Sequence, residues 1–385
     1  MELLYILLII IFFGIIEKYL HQKNRGKIPL IIHVNGIRGK STTTRMIASG
    51  LRNCGYKVWA KTTGSQPRFI YENGEEKKLK RRGSPRIKEQ LKVIKKAARA
   101  SVDVLVLECM ALTPEIEYTA GQEIIKPDYS IITNIYRDHE EVMGNNLADI
   151  CDNLLLSVPD SAKLITTGGI YRKYLKGRSF DFKVIKTEIT ETDEVMAEKF
   201  SYPNFADNVV LSLKMGSILQ VDREKFIEGI FQASPDPGVS GLLKLKKNSG
   251  TVIFINAFAA NDETSTLKMW DKYKEEIKGK KVIAIFNFRP DRPVRTKKML
   301  KLYNQVLYKS VYKLYLWASR FAVRTSTIKG NYEFLKSGMS PAEIIKYLIR
   351  KHNVEELYLL GFGNYKGNAE DFVEYMKKEG KRCNV

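Results

Sequence analysis

The sequence predicts an α/β protein of two sheet domains behind a single N-terminal apolar helix. Three observations predict it. The chain opens on an unbroken apolar run, short aliphatic strands then alternate with helices, and a Pro-Asp-Pro-Gly break at 235–238 precedes a second round of the same alternation. Strands that alternate with helices call for parallel pairing, with the helices covering both faces of the sheet. The 385 residues suffice for two or three domains with cores of their own. Hydrophobic residues at 44% and charged residues at 28% are the proportions of a globular chain and exclude a disordered one.

Leu3 to Ile16 (LLYILLIIIFFGII) carries no charge. At about 1.5 Å rise per residue it falls short of a hydrocarbon core about 30 Å thick, and Met1 and Tyr19-Leu20 extend it. A secretory signal places its positive charges before the apolar run and a small-residue cleavage site after it. Here Lys18, Lys23, Arg25 and Lys27 all follow the run, and no such site is visible. The expectation is a retained transmembrane helix over residues 1–20, single-pass in the cell membrane, with the body of the chain in the cytoplasm. An interfacial helix and a cleaved signal are the alternatives.

Pro29 to Val34 (PLIIHV) reads as a short buried strand, because aliphatic residues dominate it. Lys40 to Cys54 reads as a helix that Gly55 stops. Lys57 to Lys61, Val102 to Glu108 and Tyr129 to Asn134 are further strands, with a helix over Ile87 to Arg99 between two of them. The basic run Lys77 to Arg82 (KKLKRR) reads as a solvated polar loop. Helices follow at Leu147 to Leu156, Ala206 to Leu219 and Arg223 to Ala233. The break at 235–238 is the strongest punctuation in the chain, so a domain boundary is expected there, dividing 28–237 from 238–385. Beyond it, strands at Thr251 to Ala257, Val282 to Phe288, Lys313 to Trp317 and Leu357 to Gly361 alternate with helices near Thr264 to Lys274, Thr296 to Tyr308, Pro341 to Lys351 and Ala369 to Lys378. This second set reads as a smaller Rossmann-like domain.

The formal net charge is +21, which either reflects lysines used for solubility or fits an anionic partner: a nucleotide, an acidic polymer or anionic lipid. The four cysteines (Cys54, Cys109, Cys151 and Cys383) lie far apart, with neither a metal-type spacing nor a disulfide framework. With only four histidines, a metal site leans on oxygen ligands, which favours magnesium over zinc.

The most specific string is IIHVNGIRGKSTTT at 31–44. A buried strand runs into Gly36 and Gly39, and Lys40 and Ser41 then open a helix. Glycines let a backbone turn tightly enough for its N–H groups to face phosphate oxygens, and the helix N-terminus adds partial positive charge. Asn35, Gly36, Ile37, Arg38 and Gly39 form the candidate loop. Lys40 is placed to reach β- and γ-phosphates, and the hydroxyl of Ser41 or Thr42 is a candidate magnesium ligand. Only Ile37 and Arg38 separate the two glycines, where the standard P-loop has four residues.

That shortened loop resembles the one in the Mur ligase superfamily, which includes peptidoglycan amino-acid ligases and folylpolyglutamate synthase. Further strings match in order. VLVLECMA (104–111) puts Glu108 at a strand end, where the resemblance implies a magnesium-binding glutamate. TNIYRDHEEVMG (133–144) resembles the superfamily's TNI-x-x-DH string and implies His139 as ligand to a second magnesium, with Asn134 and Asp138 beside it. FADNVVLSLKMGSILQVD (205–222) resembles the adenine-side helix and places Asn208 near the base; a helix-capping asparagine is the other reading. FINAFAANDETST (254–266) resembles the DYAHNP-x-S string, with Ala260 where the histidine would stand and Asn261 retained. IFNFRPDRPVRT (285–296) and LLGFGN (359–364) resemble two later segments. They make Asp291, Arg292 and Arg295 candidates for holding an acidic substrate or orienting the closed domain; a charged loop of solvated ion pairs is the alternative. Two departures stand out: PDPGVSGLLKL contains no arginine, and 147–156 contains no lysine to take the role of the superfamily's carbamylated one.

The phosphate loop begins at residue 36, where Mur ligases place an extra domain ahead of it to bind a nucleotide-linked precursor, so the expectation is a substrate other than a nucleotide-linked peptidoglycan precursor. The anchor, NGIRGKST, KTTG (61–64), LECMA, PDPG and NAFAAND together are similar to the ligase subunit of poly-γ-glutamate synthases, over nearly the whole chain. The resemblance implies a P-loop-type, Mur-ligase-like central ATP-binding domain and a smaller Rossmann-like closing domain. It implies an ATP-dependent carboxylate–amine ligase that uses ATP and one or two Mg2+ ions to build poly-γ-glutamate through an acyl phosphate. The implied partners are glutamate, the acidic poly-γ-glutamate chain, the bacterial membrane and other membrane subunits of a synthase and export complex, with no nucleic acid. A membrane-tethered P-loop ATPase that forms no bond, a folate-type polyglutamylating ligase and an inactive scaffold subunit remain as alternatives.

Overall fold

The first helix, α1 (Glu2–Arg25), is long and apolar enough to cross a membrane, with a mean hydropathy of 2.3 over its best window and none of that window buried. It belongs to a computed structural model that describes every residue except 1, 65, 80–86, 138–139, 201, 203, 237–240, 248–249, 259, 261–262, 290–292, 319–326 and 383–385. The chain forms two compact units, Met1–Phe200 with Asn204–Asp236, and Pro237–Val385 with Ser201–Pro203.

In the first unit the elements run β1 (Leu30–Asn35), α2 (Lys40–Asn53), β2 (Val58–Thr62), β3 (Arg68–Ile70), β4 (Glu76–Lys78), α3 (Lys88–Ala100), β5 (Val104–Glu108) and α4 (Pro114–Tyr118). A π-helical turn at Thr119–Ile125 leads to β6 (Tyr129–Ile132), α5 (Glu140–Met143), α6 (Leu147–Leu155), β7 (Lys163–Thr167), α7 (Gly168–Ile170) and β8 (Lys183–Thr187). Helices α8 (Glu191–Glu198), α9 (Ala206–Ile218) and α10 (Arg223–Phe231) close the unit. The sheet order is β4-β3-β2-β5-β1-β6-β7-β8. The six strands from β2 to β8 are parallel, and β3 and β4 add an antiparallel hairpin at one edge. Lys77 and Lys78 therefore lie on an edge strand rather than in the expected loop, with their side chains exposed. Exposed lysines on an edge oppose further strand addition.

Alternation along the strands sends side chains to two cores. Ile31, Leu105 and Leu107 pack with Val93, Ile94 and Ala97 of α3. Ile132 and Leu164 pack with Ile150 and Leu154 of α6. Helix α1 is tied to the same unit by its last turn. His21 Nε2 lies 2.7 Å from the Ile124 carbonyl oxygen, and Arg25 donates to the carbonyls of Ile125 (3.0 Å) and Lys126 (2.7 Å) and to Asp128 (2.9 Å). Asp128 also accepts from the Ile31 N–H at 2.7 Å, at the start of the central strand.

The second unit contains β9 (Gly241–Lys247), β10 (Gly250–Asn256), α11 (Glu263–Tyr273), β11 (Val282–Asn287), α12 (Pro293–Gln305), β12 (Lys313–Trp317), β13 (Tyr332–Phe334), α13 (Pro341–His352), β14 (Glu356–Gly363), α14 (Asn368–Glu379) and β15 (Lys381–Arg382). Its sheet order is β13-β12-β11-β14-β10-β9-β15, parallel from β13 to β10 and antiparallel at β9 and β15. Period-two alternation is plain in β11. Val282, Ala284 and Phe286 face Trp270 and Met299 of α11 and α12, whereas Ile283 and Ile285 face Leu348 and Phe372 of α13 and α14. Both units are thus helix–sheet–helix layers with mixed rather than wholly parallel sheets.

Candidate phosphate and metal site

The loop between β1 and α2 lies at the end of the central strand, where parallel α/β sheets hold ligands. Two glycines shape it. Gly36 has φ 122° and Gly39 has φ 77°, conformations that side chains rarely adopt. Space forbids a side chain as well: a Cβ on Gly36 would stand 2.2 Å from Thr133 Oγ1, and one on Gly39 would stand 2.1 Å from Asn208 Oδ1.

The strand end after β6 braces the loop. Ile37 N–H donates to the Asn134 carbonyl (3.2 Å) and Arg38 N–H to Asn134 Oδ1 (2.8 Å). Thr133 Oγ1 and Asn134 Nδ2 return hydrogen bonds to the Arg38 carbonyl at 2.6 and 2.9 Å. With these groups committed, the next N–H groups in line are those opening α2. Its N-cap is Gly39, which supplies no capping side chain, so the first turn is left for an anion. The Lys40 ammonium turns back onto the Gly36 carbonyl.

Glu108 ends β5, is 2% exposed, and accepts from Ser41 Oγ at 2.8 Å and from the Thr63 N–H at 2.6 Å. A carboxylate and a hydroxyl meeting beside a phosphate loop form a donor set that suits magnesium, which takes one or two protein oxygens and fills its octahedron with phosphate and water. The hydroxyl that reaches Glu108 is Ser41's, with Thr42 next to it in the same turn. No cluster of three or more His, Cys, Asp or Glu side chains occurs among the described residues. Asn208 is 2% exposed in α9, accepts from Thr43 Oγ1 (3.3 Å) and donates to Asn204 (3.0 Å). It does not cap its own helix, whose N-cap is Phe205; its side chain fills the space beside Gly39.

The first unit therefore gathers Asn35 to Thr42, Glu108, Asn134 and Asn208 at one sheet edge. Arg295 belongs to the second unit, in the first turn of α12. Asp138, His139, Asn261, Asp291 and Arg292 lie outside the described residues.

Sequence reasoning missed the support behind the loop. Asn35 Oδ1 accepts from the Gly36 N–H at 2.7 Å, while its Nδ2 donates to Glu117 (2.8 Å) and Ser157 (3.0 Å). Glu117, on α4, is fully buried, and burial pushes its carboxyl up to about 7 against the pull of Cys109, Lys40, Asn35 and Ser157. Nothing in PEIEY distinguishes it from exposed Glu115; only the direction in which the short helix α4 faces does. Also buried are His33, both of whose ring nitrogens lack a partner, and Lys61, which pairs with Glu89 at 3.4 Å. Burial, and secondarily the Lys61 charge, lower the His33 ring to about 3.

Similarity to known proteins extends over both units. The Mur ligase middle domain profile matches residues 34–218, and the poly-gamma-glutamate synthase CapB C-terminal domain profile matches 242–379. The chain is 34% identical to "PGA synthase CapB" of Bacillus subtilis (strain 168) over 381 residues, 95% of each chain. It is 32% identical to "Capsule biosynthesis protein CapB" of Bacillus anthracis, covering 96% of this chain and 81% of that one. In fold it is similar to a bifunctional folylpolyglutamate synthase/dihydrofolate synthase solved with Mn, AMPPNP and L-glutamate bound (TM-score 0.60, 12% identity, covering 93% of this chain and 92% of that one). The chain belongs to the poly-γ-glutamate synthase CapB family, whose ATP-binding unit is that of the Mur ligases.

Proposed function

We infer that this chain is an ATP-dependent amide ligase that joins glutamate into poly-γ-glutamate and releases ADP and phosphate. Family membership carries the reaction class. The convergence of an uncapped helix N-terminus, Lys40, Ser41 and Glu108 on one sheet edge supports its nucleotide half.

A carboxylate resists attack by an amine because oxide is a poor leaving group. In the first step a glutamate carboxylate oxygen attacks the γ-phosphorus of ATP, the bond to the bridging oxygen breaks, and ADP leaves. The resulting acyl phosphate is attacked by the lone pair of an amine. The amine loses its proton, and the carbon–oxygen pair departs with inorganic phosphate. The N–H groups opening α2 and the Lys40 ammonium bind the transferring phosphoryl oxygens and offset their charge. Ser41 and Glu108 would hold a divalent ion, magnesium in this reading, with Thr42 beside them; the ion supplies Lewis acidity and phosphate orientation. Asn134 and Gly36 to Gly39 keep the loop open to phosphate.

Several roles stay proposals from family likeness alone: His139 at a second ion, Asn208 on the adenine side, and Asn261, Asp291, Arg292 and Arg295 toward an acidic substrate. We further propose that α1 anchors the chain in a bacterial membrane with both units cytoplasmic, beside other membrane subunits of a polymer synthase and export complex. The apolar α1 and the basic residues that follow the run support this.

Glutamate-dependent ADP release from membranes carrying the chain tests the reading. Lys40→Ala is expected to lower it by about 100-fold or more, the scale of losing a donor to a developing charge. Undiminished turnover in that variant removes the phosphate role, and ADP release indifferent to glutamate leaves an ATPase rather than a ligase.

A further inference from the structure

One stripe of α2 carries Arg45, Ser49 and Arg52 on successive turns. They line a cavity of about 310 Å³ whose other walls are the β3–β4 hairpin, from Ile70 to Glu76, and the residues after α10, from Gln232 to Ser234. This is not the phosphate site. Arg52 lies twelve residues beyond Lys40 on the same helix, about 18 Å along its axis.

The two guanidiniums are held differently. Arg45 is buried and donates to both carboxylate oxygens of Glu76 and to the Ser234 carbonyl (3.2 Å), yet its Nε has no acceptor. Arg52 has a buried Nη1 that meets no acceptor at all. Burial pulls Arg52 below the ordinary arginine value; Glu76 opposes this and the neighbouring Arg45 charge adds to it. The cavity's other acid, Glu72, is engaged by its own backbone N–H and by the Trp59 indole N–H. A desolvated cationic nitrogen without an acceptor is unfavourable, and an anion entering the cavity relieves it.

We propose that this cavity is a carboxylate-binding site that holds an α-carboxylate of the γ-linked polyglutamate chain, with Arg52 as the anchoring cation. The proposal rests on the ligase reading above, which presents the protein with a chain bearing one carboxylate per unit. A carboxylate matches the guanidinium fork, and its single charge suits walls that also carry Glu72 and Glu76, which would repel a phosphate dianion. A polymer held here stays close to the phosphate site between additions, because tethering keeps the local concentration of its end high.

The test is binding of a fluorescently labelled γ-linked glutamate oligomer to the full chain in detergent, read by anisotropy at low salt. Arg52→Gln is expected to weaken binding about tenfold or more, as one charge-assisted contact is lost, with ADP affinity unchanged. Asn73→Asp serves where Arg52→Gln fails to fold. It keeps the acceptor for the Glu75 N–H (2.9 Å) and adds a negative charge to the cavity wall, so it too is expected to weaken the oligomer. Wild-type affinity in a folded variant overturns the proposal. Displacement by inorganic phosphate at concentrations at or below those of the oligomer overturns the carboxylate assignment. Glutamate-dependent ADP release by the same wild-type preparation separates the two readings: turnover with binding indifferent to Arg52 sinks the cavity alone, and binding that needs Arg52 without glutamate-dependent turnover sinks the ligase reading alone.

Discussion

The Glu117 carboxylate lies 2.8 Å from the Asn35 side-chain amide and fixes its orientation, so that the Asn35 oxygen faces the Gly36 N–H. A buried acid on α4 thereby sets the shape of a loop that begins eighty-two positions earlier in the chain. Glu117→Ala is expected to cost about 1–3 kcal/mol in stability by stranding one of the two Asn35 amide protons, the other being held by Ser157. It should also raise KM for ATP several-fold. Glu117→Gln, whose amide oxygen still accepts from Asn35, should restore most of that KM. Equal KM values for ATP in the alanine and parent proteins would deny the link.

Glu117 and His33 give the first unit opposing pH dependences. The unfolded Glu117 side chain loses its proton near 4.5, while the folded one holds it to about 7. Stability therefore falls as pH rises across that window, by about 3 kcal/mol in all. His33 runs the other way: unfolded it takes up a proton below 6.5, folded only near 3, so stability falls as pH drops below 6.5. The two slopes oppose each other between 4.5 and 6.5. Glu117→Gln should make stability rise more steeply with pH in that interval, and His33→Gln should make it decline. Hydrogen exchange of the β1 amides, measured across the interval, reads both.

At Gly39 the obstacle to a side chain is Asn208, 2.1 Å from where a Cβ would sit. Gly39→Ala is expected to weaken ATP binding severely but measurably. Adding Asn208→Ala removes the collision but not the strain of φ 77°, which is about 1 kcal/mol for a residue with a side chain. The double variant should thus regain part of the lost affinity, at least tenfold over Gly39→Ala. Titration with a fluorescent ATP analogue measures it, and strictly additive losses would show that the contact does not matter.

The last turn of α1 is a structural part of the first unit. Arg25→Ala removes hydrogen bonds to Ile125, Lys126 and Asp128, and is expected to lower stability by about 1 kcal/mol, since Asp128 is partly exposed. A chain beginning at His21 should match the full chain in thermal stability, whereas one beginning at Lys27 should melt several degrees lower. Equal melting of the two shortened chains would count against the clamp.

Local features were the readable ones. The strand, two glycines, Lys40 and Ser41 announce a phosphate loop because all of its chemistry lies within one short stretch. Glu108 was visible because it closes an aliphatic strand. Glu117 and Ser157 act on the loop only once the chain has folded, and their neighbours in sequence do not mark them. Strands β7 (KLITT) and β8 (KVIKT) went unpredicted because lysine and threonine break their apolar runs. Strands β3 and β4 are three residues each, too short for any periodicity to show. The cavity beneath them, assembled from a helix stripe, a hairpin and a helix end, has no signature in any one of its parts.

The Arg25–Asp128 bridge joins α1 to the edge where the parallel strands start, and the nucleotide turn lies at the edge where they finish. Six residues of β1 separate the two edges, about 20 Å. In the proposed anchoring, the nucleotide turn lies about one strand length along the sheet from the edge to which α1 is clamped. A product made at that turn and exported, as proposed, would have to pass the flank of the sheet or be handed to a neighbour. The proposed anchor would thus set which edge of the sheet lies nearer the lipid as well as where the chain resides.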